Sequence, residues 1–339
     1  MDRIAYARRG WLKGASVWAL LMTLVGVAGC KGCEAPGQRL ADPALALLPA
    51  RAQTVVSLDL SQVRRSVLWK AVATAGQRSS DDLKILEGVK ARTGFDPLVD
   101  VHRLVFAFPE DARANGEFAL LAFGDHLDER RLVSYARDEA KARGFDLRQQ
   151  EHAGQRLWVG SDEQTKRAGF FLNDHTFVLG GGGWAQQMAA SVAQPPEALP
   201  THAELSHLCA RIGTGHAAWA VAVVPNATRT RLAGLPRFAA ASNIARVAVT
   251  LDLKDGLAAS LRAELSTKED AQALAAEVNN YIREAKQSPK LLLMGIGPWL
   301  EGVAARAQGP NVTVSLQLNA GQAQAMADRL AALMQLMKR

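Results

Sequence analysis

The chain is poor in the residues that most often announce a chemistry. Only 3 of its 339 residues are cysteine, too few for a disulfide-framed fold. Aromatics make up 6% and nowhere interleave with basic residues as a nucleic-acid groove requires, which argues against nucleic acid as a partner. The seven histidines, His102, His126, His152, His175, His202, His207 and His216, form neither an HExxH motif nor a zinc-type spacing with cysteine, so no metal and no other cofactor is indicated. GxSxG and SxxK are also missing. The common serine-hydrolase signatures are thereby removed, leaving only a hydrolase without a standard motif. What is present, 48% apolar and 22% charged residues with 28 Gly and 13 Pro, is ordinary globular composition.

Long apolar runs are missing too, with one exception. Residues 1–30 have a basic stretch (Arg3, Arg8, Arg9, Lys13), an uncharged apolar run Ala15–Val27, and small residues Ala28 and Gly29 before Cys30. That order is a signal peptide. The run is shorter than the roughly 20 residues a membrane-spanning helix needs. Removing residues 1–29 takes four basic residues and one acidic, leaving 36 Lys+Arg against 32 Asp+Glu. The apparent basicity, 40 against 33, therefore belongs in part to the leader.

Val27-Ala28-Gly29-Cys30, at the end of that run, resembles the lipobox of bacterial lipoproteins. The resemblance implies cleavage after Gly29, acylation of Cys30, and a membrane partner reached through lipid. Each buried CH₂ contributes roughly 0.8 kcal/mol, so two or three acyl chains hold a soluble body firmly. Arg8-Arg9-Gly10-Trp11 is similar to the twin-arginine export motif, which leaves Sec and twin-arginine routes both open. Lys31 after the acylated cysteine, where an inner-membrane retention signal would carry Asp, implies the outer membrane, facing the periplasm. A plain signal peptide beside a coincidental cysteine is the alternative.

Cys30-Lys31-Gly32-Cys33 has CxxC spacing, but an acylated Cys30 has no thiol to offer. Cys33 and Cys209 remain. In an oxidising envelope they are a possible disulfide; otherwise Cys209 is a buried apolar residue beside Leu205, Leu208 and Ile212.

Periodicity predicts an α+β body made of a duplicated unit, each an antiparallel sheet with helices packed on one face. Residues 30–47 are expected to be a flexible tether, 48–194 the first repeat and 195–339 the second, with Pro195, Pro196 and Pro200 marking the boundary. In the first unit strands are expected over 54–60, 103–108, 116–124, 155–160, 167–172 and 176–179, and helices over 61–73, 80–93, 128–143 and 184–192. The second offers strands 219–224, 246–253, 257–265, 302–308 and 312–318, with helices near 227–241, 268–286, 290–300 and 321–337. Val247, Val249, Leu251 and Leu253 alternate with Arg246, Thr250 and Asp252, predicting one apolar and one wet face. Gly116–Lys141 aligns with Gly256–Tyr281 at an offset of 140, and Val178–Met188 with Leu316–Met326 at 138, which indicates duplication.

Few constellations suggest a site. Gly180–Gly183, between a strand and a helix, is either an anion cradle or a permissive turn, and it lacks P-loop spacing. Asp128 and Glu129 sit where a helix N-terminus favours negative charge. A sheet crossed by amphipathic helices can open a groove for an acyl chain, lined by Phe106, Phe108, Phe118, Phe123, Phe170 and Phe171, or these residues are ordinary core. Leu48-Pro49-Ala50, Thr93-Gly94-Phe95-Asp96-Pro97 and the 103–108 strand resemble segments of Ala-rich, myxobacterial-type envelope lipoproteins; that resemblance implies no activity. The expectation is a lipid-anchored envelope lipoprotein acting as a non-catalytic binding or assembly module, with envelope proteins as possible partners. A periplasmic carrier of an acyl chain or other hydrophobic ligand is the alternative.

Overall fold

A computed structural model describes residues 43–70, 81–110, 116–160, 166–194, 203–234, 237–289, 291 and 297–336. The fold is α+β, built on one antiparallel sheet of twelve strands. The first half contributes β1 (Thr54–Asp59), β2 (Val101–Phe108), β3 (Phe118–Gly124), β4 (Leu147–His152), β5 (Gln155–Gly160), β6 (Ala168–Asn173) and β7 (Thr176–Gly181). Its helices are α1 (Pro43–Leu47), α2 (Leu60–Arg65), α3 (Asp81–Thr93), α4 (Pro97–Asp100), α5 (Glu129–Ala142) and α6 (Trp184–Val192). The second half has α7 (Ala203–Ile212), β8 (Ala218–Val223), α8 (Asn226–Ala233), a 3₁₀ turn Ala239–Asn243, β9 (Ile244–Asp252) and β10 (Gly256–Leu265). It closes with α9 (Lys268–Lys286), α10 (Gly297–Leu300), β11 (Ala304–Gln308), β12 (Asn311–Asn319) and α11 (Ala320–Leu336).

The duplication is written in the strand order. Outward from the centre the first half runs β1-β2-β3-β7-β6 and the second β8-β9-β10-β12-β11. The halves join through the antiparallel pair β1 and β8, with Val56 opposite Ala220, so they share one sheet. Register links the offsets of paired strands. Phe118 faces Gly181 across β3 and β7, and Gly256 faces Asn319 across β10 and β12, a pairing that a displacement of 138 residues in both strands reproduces. With Val178–Met188 placed on Leu316–Met326 at 138, this pairing brings the 116–141 segment to 138 as well, rather than 140. On this offset Ala185, Met188 and Ala189 of α6 match Ala323, Met326 and Ala327 of α11, and all six are buried. The β4 and β5 hairpin is inserted in the first half only.

Local chemistry explains the ends of several elements. Asp59, Asp128 and Thr267 cap α2, α5 and α9 by accepting from Gln62, Arg131 and Asp270 N–H respectively, which satisfies otherwise orphaned donors. Pro97 opens α4 behind the Asp96 cap, where a missing N–H costs nothing.

Two further expectations are corrected. Residues 43–47, expected to be tether, form α1, with Ala44, Leu45 and the following Leu48 in the main core; apolar packing outweighs the absence of any helical period in so short a stretch. Helical spacing over 128–143 predicts Leu132, Tyr135, Ala136 and Ala140 on one side, whereas Val133 and Ala140 are the buried pair and Ala136 is exposed.

The main core lies on the first face and extends from the first half onto Trp219, Val221 and Ala248 of β8 and β9, and the two smaller cores lie on the opposite face. Val55, Val105, Leu121 and Val178 point to the first face, under α1, α6 and α7. In the second half Leu251, Ala259 and Leu316 point to the other face, under α11, while α9 packs over Ala263 and Val312. Among the described residues no helix is long and apolar enough to cross a membrane.

Candidate functional site

The second face of the sheet carries the most unusual feature. Cross-strand partners share a face, and one row runs Val314, Leu261, Val249, Ala220, Val56, Phe106, Leu120 and Leu179 across eight neighbouring strands without a polar side chain. Val314 and Leu261 pack under α9. Val249, Ala220, Val56, Phe106, Leu120 and Leu179 are half-buried and belong to none of the three core clusters. An antiparallel sheet normally keeps one face apolar and one wet. Here the first half is apolar on both, as the runs Leu104–Phe108 and Phe118–Phe123 show directly in sequence.

The six phenylalanines divide between the two faces. Phe123 and Phe170 point into the first-face core, Phe170 with no exposed surface. Phe106, Phe108, Phe118 and Phe171 fall on the second face. There Phe106 stacks parallel on Phe108 at 6.4 Å, Phe171 meets Phe177 at 4.9 Å, and the Arg167 guanidinium lies 6.0 Å over Phe118. At the far edge α5 closes the strip, with Trp158 Nε1 donating to Glu129 at 3.0 Å and Arg137 stacked over the indole.

Basic chain flanks the strip. Residues 60–70 contain Arg64, Arg65 and Lys70, residues 224–243 contain Arg229, Arg231 and Arg237, and neither segment has an acidic residue. The segments follow β1 and β8, which are antiparallel, so they leave the central pair at opposite ends.

The sequence-predicted positions fall as follows. Gly29, Cys30 and Cys33 lie outside the described residues. Cys209 is in the main core with 1% of its surface exposed; burial pushes its thiol up to about 12, against the opposing pull of the Arg103 guanidinium. Arg103 lies on the same face, its Nε donating to Ser57 Oγ at 2.9 Å, and desolvation lowers its own pKa. The Gly180–Gly183 run acts in packing. A Cβ at Gly180 would sit 2.4 Å from Ala185 N and one at Gly181 2.2 Å from the Gly116 carbonyl, while Gly183 caps α6 at φ 88°. Close approach and a left-handed cap account for those glycines.

Sequence spacing missed the polar groupings, which join residues such as His102 and Asp125, 23 apart, and His216 and Asp252, 36 apart. His102 Nε2 lies 2.6 Å from Asp125, whose carboxylate it holds below the usual range, and His175 Nδ1 lies 3.2 Å from the Gly124 carbonyl. His216 is gripped from both sides: Nδ1 is 2.9 Å from an Asp252 oxygen and Nε2 2.8 Å from the Ile212 carbonyl. Two acceptors call for two N–H donors, which only the imidazolium supplies, and the Asp252 hydrogen bond raises the His216 pKa. On the expected wet face of β9 and β10, α7 covers part of the surface. Glu264 receives Arg211 at 3.0 Å and Arg246 at 2.9 Å, Arg246 also reaches Glu204, and Arg211, Arg246 and Glu264 line a cleft of about 10 Å³ with Arg262, room for about one water. Among the described residues no group of three or more His, Cys, Asp or Glu is placed to hold a metal ion.

No protein-family model matches the chain, and no curated protein does. A solved structure, that of crystal form I of TP0453, aligns over 88% of this chain and 99% of its own at 12% identity with a TM-score of 0.43. Likeness of that degree carries no argument about function.

Proposed function

We propose that this chain is a lipid-anchored protein of the cell envelope, held in the outer membrane through acylated Cys30 and facing the periplasm, with a body that serves as a non-catalytic binding or assembly module. The observation that carries the module reading is the apolar row Val249, Ala220, Val56, Leu120 and Leu179, which lies outside the three cores. A contiguous apolar row that is only partly buried offers a surface on which a partner can gain burial. The signal peptide with Val27-Ala28-Gly29-Cys30 at its end supports the anchor. Mass spectrometry of the mature N-terminal peptide tests it: a diacylated or triacylated Cys30 is expected, and an unmodified Cys30 or cleavage elsewhere contradicts it.

A second reading, a carrier of an acyl chain, is favoured by Phe106, Phe108, Phe118 and Phe171 lying together on the half-buried second face. It predicts that lipid co-purifies with a form lacking Cys30.

A further inference from the structure

We infer that the free edge of β4 pairs with the β4 edge of a second copy of this chain, antiparallel and across a twofold axis at Gln149. The two ends of the sheet are finished differently. At the β11 end, Asn279 of α9 donates from Nδ2 to the Ala305 carbonyl at 2.9 Å and accepts the Ala305 N–H on Oδ1 at 3.0 Å. That exchange imitates a neighbouring strand and closes the edge. At the other end, among the described residues, no strand pairs beyond β4. β4 contains no proline and no glycine, its pairing with β5 runs without a bulge from Leu147 to His152, and Arg148–Glu151 are exposed. Native sheets seldom leave such an edge bare.

The strand is complementary to itself. β4 and β5 are joined by the two-residue turn Ala153-Gly154, both at positive φ, so His152 and Gln155 form a hydrogen-bonded pair. Alternation then directs the backbone N–H and C=O of Gln150 and Arg148 toward β5, and those of Glu151, Gln149 and Leu147 outward. With the axis at Gln149, the two Gln149 residues exchange both N–H···O bonds, and Leu147 of each copy does so with Glu151 of the other. On the alternate positions Arg148 faces Gln150, and Asp146, just before the strand, faces His152. No like charges meet directly, which is what a stable cross-strand register requires. An axis at Arg148 would set arginine against arginine, and one at Gln150 would set Arg148 against His152 and run the pairing into the turn. The join continues each face of one sheet onto the same face of the other, and it does not depend on acylation of Cys30. It buries little beyond two strand edges, so the dimer is a weak, concentration-dependent one.

The test is self-association of the full chain in detergent, measured by sedimentation velocity, with substitutions at Gln149, an exposed position. The chain is expected to form a reversible dimer. Because Gln149 faces itself, Gln149→Lys and Gln149→Glu should each weaken the dimer about fivefold, whereas an equimolar mixture of the two should restore it, lysine then facing glutamate. Gln149→Pro removes the outward N–H from both copies, at a place where an edge strand tolerates proline, and should raise the dissociation constant at least about tenfold. In a Cys33→Ser background, with Cys209 buried, Gln149→Cys should form a disulfide-linked dimer under oxidising conditions, the facing Cα atoms being about 5.5 Å apart. Glu151→Cys should not, since it faces Leu147. A chain that stays monomeric at every concentration overturns the inference. So does a dimer that survives Gln149→Pro unchanged, which places the contact elsewhere. A lysine and glutamate mixture no tighter than either variant alone, or equal crosslinking at 149 and 151, overturns it as well. The lysine and glutamate variants alter no backbone group, so they decide the matter should the proline variant fail to fold.

Discussion

His216 shows how one side chain couples two elements. It lies in the connection from α7 to β8, yet its ring spans from the Ile212 carbonyl to the Asp252 carboxylate at the end of β9. Because the Asp252 hydrogen bond raises its pKa in the folded protein, protonation of His216 favours folding. That contribution is complete below the unfolded-state value of about 6.5 and disappears as pH rises through the higher folded value. His216→Asn should cost about 1 kcal/mol at pH 6, roughly 2–4 °C in melting temperature for a chain of this size, with the difference from wild type shrinking as pH rises toward 9. Thermal melts at both pH values check it. A difference that stays constant between them would show that lost packing around the ring, and not its charge, sets the effect.

At the scale of elements, the repeat makes a symmetrical prediction. Met188 of α6 and Met326 of α11 match at the repeat offset, and each is buried against its own half of the sheet, on opposite faces. Met188→Ala and Met326→Ala should each cost about 2–5 kcal/mol by denaturant titration, as buried methionines do. A negligible loss at only one of them would mean that the two closing helices are not equivalent. Much of this architecture was legible in sequence. The helices over 184–192 and 268–286 are where their periodicity puts them, and the β9 and β10 hairpin follows its alternation. The strand Leu147–His152 was not legible, because Leu-Arg-Gln-Gln-Glu-His is an edge strand exposed along most of its length and shows neither a run nor an alternation. The candidate face was partly legible. Runs such as Phe118–Phe123 are apolar at every step, which signals burial on both sides of a strand, but only the pairing shows that the second-face members align across the sheet. His216 and Asp252 meet only because β8 pairs with β9, and no local spacing encodes that.

For the whole molecule, the central claim is that the first-half part of the second face works at an interface, while the first face there and the second face under α9 and α11 build the cores. Neighbouring residues of β3 separate the two: Leu121 points to the first face with no exposed surface, and Leu120 points to the second face, half-buried and outside the cores. The direct measurement is the unfolding free energy of Leu120→Ala and Leu121→Ala by denaturant titration in the absence of lipid. The account predicts a loss of about 2–5 kcal/mol for Leu121→Ala and about 1 kcal/mol or less for Leu120→Ala. Equal, large losses would contradict it, since Leu120 would then be core and the second face would have no surface to offer a partner.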